Sequence, residues 1–146
     1  MNEIQLQSEI VRKFSELFYP EKRGQLFHVS NERNSKNQAF QAKSIGVFAG
    51  VSDFLYMKKF HPIENGSEST FLLGIEVKAP NTYHSKDHLM QQIEWGKILE
   101  KCGGKWVIVT SVEAAMESIN GNYSNCLNLE QVSNLIKNCK NKNLKF

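Results

Sequence analysis

The sequence is short of cysteine, of long apolar runs and of charge of one sign. Its three cysteines, Cys102, Cys126 and Cys139, are odd in number and widely spaced, which argues against a disulfide framework or a zinc ribbon and predicts free thiols. No stretch approaches the ~20 apolar residues of a membrane span, so no membrane partner is expected. The first nine residues carry early acids and no continuous apolar segment, unlike a secretory signal; the chain reads as intracellular and cytoplasmic. The formal net charge of +3 is compatible with nucleic acid without demanding it, because phosphate binding depends on where the cations sit.

What is present suits one domain. At 146 residues, with 40% hydrophobic and 23% charged side chains, the chain has the make-up of a globular protein with a real core. Leu6, Ile10, Phe14 and Leu17 recur at helical spacing between Asn2 and Phe18 and stop before Pro20, predicting an amphipathic helix. Residues 25–29 suit a short strand. The polar stretch 31–41 lacks apolar periodicity and reads as a loop, or as a short helix near Ala39 to Lys43. Gly46 and Gly50 permit close backbone approach ahead of a strand beginning near Asp53. Asn65-Gly66 then suggests a hairpin turn into a second, antiparallel strand ending at Val77.

Beyond Pro80, Leu89, Ile93, Gly96 and Leu99 or Ile98 mark a helix over 84–101, stopped by Gly103-Gly104. Trp106 to Val109 reads as a buried strand. Thr110 to Glu113 has capping-box spacing for a helix running to Ile119. Strand, helix and strand in that order imply a parallel crossover. Asn128 and Gln131 suggest a cap for a closing helix, and the Lys- and Asn-rich residues from about 138 are expected to fray. The expectation is a single α/β domain over 1–146, with a mixed central sheet flanked by helices.

The chemistry concentrates at Ile75-Glu76-Val77-Lys78. Alternation along a strand puts Glu76 and Lys78 on one side and Ile75 and Val77 on the other. Burying two charges in an aliphatic strand is unfavourable unless they are paired or bind something. Asp53, at the start of the neighbouring strand, can meet Glu76 across the hairpin, and two carboxylates suit Mg²⁺, which takes one or two of them and keeps water and phosphate in its other positions. Such a cation polarises a phosphoryl oxygen and lowers the pKa of water, and Lys78 would lie beside that water. A bare Glu-x-Lys, however, is also a common strand-end ion pair.

More of the chain fits the same chemistry. Glu3-Ile-Gln-Leu6-Gln7, Tyr19-Pro20, Leu26-Phe27-His28, Asn31-Glu32-Arg33, Gly46-Val47-Phe48-Ala49-Gly50-Val51-Ser52-Asp53, Ile75-Glu76-Val77-Lys78-Ala79-Pro80, and Gln92 with Trp95 occur in this order. The set resembles the VRR-NUC branch of the PD-(D/E)XK nucleases over positions 3 to about 119. One departure is Ser52, where that family usually carries proline; proline supplies no ligand, so turn rigidity rather than chemistry is expected to change.

The resemblance implies a restriction-endonuclease-like core and an Mg²⁺-dependent endodeoxyribonuclease, with Mn²⁺ able to substitute. It implies metal ligation by Asp53, Glu76 and the Val77 carbonyl, with Lys78, Gln92 and Glu3 completing the catalytic set. It places His28, Asn31 and Arg33 beside the site as DNA contacts, with Lys43 in the same group. Homodimers acting on branched DNA such as Holliday junctions are implied partners and substrates, and a phage or mobile-element setting fits so compact a chain. Helical geometry favours Glu3 over Glu9 as the helix acid, because Glu3 shares the side of Ile10, Phe14 and Leu17 whereas Glu9 falls with Lys13 and Glu16. The rival readings are a nuclease-fold DNA-binding or assembly module that no longer turns over, and a ribonuclease with the same site. His84 and His88 have metal-compatible helical spacing but lack the Glu or third ligand of a zinc peptidase. Lys58, Lys59, Lys137, Lys140, Lys142 and Lys145 could meet a nucleic-acid backbone or simply be solvated.

Overall fold

The computed structural model describes residues 1–30, 36–44, 46, 48–60 and 69–146. The DNA-contact candidates Asn31 and Arg33 and the expected Asn65-Gly66 turn lie outside these. In chain order the elements are α1 (Glu3–Phe18), β1 (Leu26–His28), α2 (Lys36–Ser44), β2 (Phe54–Phe60), β3 (Ser69–Val77), β4 (Tyr83–Ser85), α3 (Lys86–Lys101), β5 (Lys105–Val109), α4 (Val112–Ile119), β6 (Leu127–Asn128), α5 (Leu129–Asn138) and β7 (Asn143–Lys145).

The main sheet has the order β1-β2-β3-β5-β6. The β2 and β3 strands run antiparallel with Phe54 opposite Ile75, and β3 and β5 run parallel with Glu76 opposite Ile108. The crossover between the parallel pair is α3, as the strand-helix-strand order predicts. A second, two-stranded sheet joins β4 to β7.

Strand alternation sorts the core into two layers. Leu73, Ile75, Val77, Val107 and Val109 pack with Leu6, Ile10 and Phe14 of α1 and Ala114, Ala115 and Ile119 of α4. Trp106 and Ile108 face the other way, onto Leu89, Ile93 and Leu99 of α3 and Val132 of α5. The helices thus cover both faces of a mixed sheet. Ile10 is fully buried, and truncating such a residue to alanine costs about 2–5 kcal/mol.

Caps fix the helix ends. Asn2 closes a reciprocal capping box with Gln5 at the start of α1, and Asn128 does so with Gln131 at α5.

Several boundaries differ from the sequence expectation. Leu17 is 51% exposed, and Phe18 takes its place in the stripe, 5.1 Å from the Phe14 ring. Four-residue steps from Leu6 through Ile10 and Phe14 lead to position 18. Ile98 is exposed while Leu99 is buried. The cap of α4 is Ser111 rather than Thr110, its Oγ accepting from the Ala114 amide at 3.1 Å. Ser85 caps α3, so His84 belongs to β4 and not to the helix.

The tail does not fray. Asn143–Lys145 pairs with β4, Leu144 is buried and Phe146 packs against the α3/α5 layer. Two apolar side chains at i and i+2 anchor a segment whose composition is otherwise that of a loose end. Lys58 is likewise engaged, donating to the Ile119 carbonyl at the end of α4 at 3.2 Å, where the exposed carbonyls of a helix terminus favour a cation.

Candidate active site

The loop before β2 is threaded tightly against α3. Gly50 has φ +90°, and a Cβ there would stand 2.4 Å from the Gln91 carbonyl oxygen; both facts require glycine. Gly46 has φ +91° but open space around it, so the close approach expected of both glycines occurs only at Gly50. Ser52, fully buried with no partner for its Oγ, lies under Gly74, whose own Cβ would come within 2.9 Å of that oxygen. The chain then enters β2 with Asp53 beside the end of β3.

Asp53 Oδ2 accepts the Val77 amide at 2.8 Å. This bond draws the Asp53 carboxylate across to β3, beside Glu76. Glu76 is 1% exposed and Lys78 is 2% exposed. Lys78 Nζ donates to Glu76 Oε1 at 3.1 Å, and Gln92 Nε2 donates to the same oxygen at 2.5 Å. Glu76 Oε2 is buried without a partner. Burial pushes the Glu76 carboxyl well above the usual carboxylate range; the nearby Asp53 charge adds to the rise, and Lys78 opposes it.

Glu3 reaches the same patch from α1. Its Oε1 lies 3.9 Å from Lys78 Nζ and its Oε2 3.7 Å from His84 Nδ1. Glu9 instead forms an exposed ion pair with Arg12 at 2.6 Å, as its helix face predicts. Asp53, Glu76, Lys78, Gln92 and Glu3 therefore converge, with Val77 tying Asp53 in place. Among the nucleic-acid candidates, His28 is exposed at the edge of the sheet, in register with Phe54, while Lys43 is exposed on α2.

Two histidines were not foreseen as members of the site. His88, one helical turn before Gln92, has Nε2 3.1 Å from Gln92 Nε2, and His84 has Nε2 3.5 Å from the Ala79 carbonyl oxygen. Burial, reinforced by the Lys78 charge, lowers both ring pKa values and favours the neutral ring. The four-residue step from His88 to Gln92 was the available signal; His84 is brought in by β4, an element too short to show a period.

Among the described residues, no group of three or more His, Cys, Asp or Glu is placed to hold a metal ion. The donor set is instead a pair of carboxylates, one with an unpartnered buried oxygen. An unpaired buried carboxylate oxygen beside a second carboxylate is costly as it stands. It fits a small hard cation, which satisfies oxygens and offsets repulsion at once. Two surface concavities lie elsewhere, one lined by Phe71, Leu72 and Gly104, another by Val11, Tyr19 and Phe27. The candidate site is a polar patch at the end of β3.

No helix among the described residues is long and apolar enough to cross a membrane. Comparisons with protein-family models, with curated proteins and with solved structures find no match to this chain.

Proposed function

We propose that this protein is a Mg²⁺-dependent endodeoxyribonuclease that hydrolyses phosphodiester bonds at the Asp53, Glu76 and Lys78 patch. The observation that carries the reading is the buried Glu76 carboxylate, with Oε2 unpartnered, Asp53 alongside and Lys78 and Gln92 on Oε1. Asp53 and Glu76 would hold Mg²⁺ with the Val77 carbonyl as a third protein ligand, and Mn²⁺ would substitute. When bound, the cation supplies polarisation of the phosphoryl oxygen and a lowered pKa for water.

The chain's own groups do the positioning. Lys78 has N–H donors and no acceptor, so it orients the attacking water and offsets negative charge developing on phosphate. Gln92 Oε1, buried and unpartnered, accepts a hydrogen from that water. Glu3 holds Lys78 from the α1 side and can accept from water around the cation. His28 and Lys43, both exposed, suit phosphate contacts that fix the strand without reading bases. DNA, including branched junctions, is the substrate that the resemblance to VRR-NUC nucleases implies. A homodimer would offer two sites for two strands.

The test is cleavage of supercoiled plasmid, a four-way junction and single-stranded RNA, with Mg²⁺ and with EDTA, by wild type and Lys78→Met. Magnesium-dependent cutting of DNA that Lys78→Met loses is expected. Cutting of RNA alone would reassign the substrate, and no cutting of any nucleic acid by folded, Mg²⁺-supplied protein would leave a binding module.

A further inference from the structure

We propose that His88 is a positioning residue that sets the orientation of the Gln92 amide, turning its nitrogen to Glu76 and leaving Oε1 as a free acceptor at the site. The catalytic part of this inference rests on the nuclease reading; the hydrogen-bond part does not.

The orientation follows from Lys78. An ammonium can only donate, and Lys78 Nζ is 3.1 Å from Glu76 Oε1, so that oxygen acts as an acceptor. The Gln92 group 2.5 Å from the same oxygen must then be the NH₂ and not the carbonyl. One amide hydrogen is used there. The other points to His88 Nε2 at 3.1 Å, which must accept, leaving the ring proton on Nδ1. Glu76 Oε1, the oxygen that both Lys78 and Gln92 approach, is taken as the oxygen without a proton. With both amide hydrogens engaged, Oε1 is fixed in place; it is buried and has no partner within the protein.

Without His88 the amide has one anchor instead of two. A side chain that must hold a water in line for attack loses effect when its own angle is free, because catalysis depends on a narrow range of geometry. His84 does not share this role. Its contacts are Glu3 and the Ala79 carbonyl, and its ring packs against Phe146 at 5.6 Å.

The first experiment reads the tautomer in metal-free protein by ¹⁵N-edited NMR of the histidine rings at pH 7.5. A neutral His88 with its proton on Nδ1, lost in Gln92→Leu, is expected. A proton on Nε2 would mean that the amide is turned the other way and would overturn the proposal, whether or not the protein cuts DNA.

The second experiment compares kcat and KM on the DNA substrate for wild type, His88→Phe, His88→Gln, Gln92→Ala and the double variant His88→Phe/Gln92→Ala. His88→Phe should lose about as much kcat as Gln92→Ala with KM little changed. His88→Gln, whose carbonyl can replace the ring acceptor, should recover most of it, and the double variant should be no slower than Gln92→Ala. His88→Phe cutting at the wild-type rate while folded would overturn the positioning role, and equal loss in Phe and Gln variants would assign His88 to packing instead. A wild type with no cleavage removes the catalytic part along with the nuclease reading, while the tautomer still decides the hydrogen bond.

Discussion

The Val77 amide donates to Asp53 Oδ2 at 2.8 Å, so the residue that opens β2 is pinned to the residue that closes β3. The same bond leaves the Asp53 carboxylate next to Glu76, whose Oε1 is held by both Lys78 and Gln92. Two carboxylates are thereby kept together at a cost that a divalent cation would reverse.

That cost has a sign in pH. Glu76 binds its proton more tightly in the folded chain than in the unfolded one. Below the ordinary carboxyl value of 4.5 both states are protonated. As pH rises from there toward the raised folded value, the unfolded chain releases the proton first and the folded state loses stability. Metal-free wild type should therefore lose melting temperature over this window relative to Glu76→Gln, and Glu76→Gln should be the more stable at neutral pH. Thermal unfolding of both proteins in EDTA across pH 4.5 to 8 checks this. Parallel curves would contradict it.

Added Mg²⁺ should raise the wild-type melting temperature most at the alkaline end of that range, where Glu76 most readily gives up its proton. At a concentration 100-fold above the dissociation constant the gain is about 2.7 kcal/mol. Asp53→Asn and Glu76→Gln should each lose most of it. An equal shift in all three proteins would point to nonspecific ion effects.

Lys78→Met removes the ammonium while keeping a similar volume in a buried position. Cleavage should fall by roughly 10²–10³-fold in kcat, the loss that accompanies removal of one transition-state donor. The fold should persist. Single-turnover rates beside a circular dichroism melt separate the two, and a folded variant with wild-type rate would remove Lys78 from the chemistry.

Gly46, Gly50 and Gly103 all have φ near +90°, but only Gly50 faces backbone at contact distance. Alanine at Gly46 or Gly103 should cost the conformational term alone, about 1–3 kcal/mol or less. Alanine at Gly50 should cost more and should also reduce cleavage, because the loop that carries Asp53 must move off α3. Urea unfolding of the three variants checks the order, and equal losses would contradict it.

Cys126 is buried, and burial with the nearby Glu117 charge pushes its thiol up to about 11. Cys102 is exposed. A thiol reagent at pH 8 should modify Cys102 quickly and Cys126 only as the chain unfolds. Mass spectrometry of the labelled peptides gives the order.

Much of this architecture was legible in the sequence because its elements are long enough to show a period. Leu6, Ile10 and Phe14 marked α1, and the alternation at 75–78 placed Glu76 and Lys78 on one side of β3. Glu3 and Glu9 also lie on the separate helix faces that their spacing gave them, one at Lys78 and the other in an exposed pair with Arg12. The parts that were not legible are short or depend on tertiary partners. The β4 and β7 strands have three residues each and exist through their pairing, so the tail looked loose and His84 looked helical. Leu17 and Phe18 are adjacent apolar residues, and only packing against Phe14 decides between them. Choosing Ser111 over Thr110 as the cap turns on one residue of register. His88 enters the site one helical turn before Gln92; that four-residue step was present in the sequence, but it points to the site only once Gln92 turns inward to Glu76.

The proposed function requires Asp53 and Glu76 to share a divalent cation. Anomalous diffraction from crystals soaked in Mn²⁺ tests it most directly. A single manganese peak coordinated by Asp53, Glu76 Oε2 and the Val77 carbonyl oxygen, absent in Glu76→Gln, is expected. Manganese bound only elsewhere, with Glu76 Oε2 still unpartnered, would contradict it.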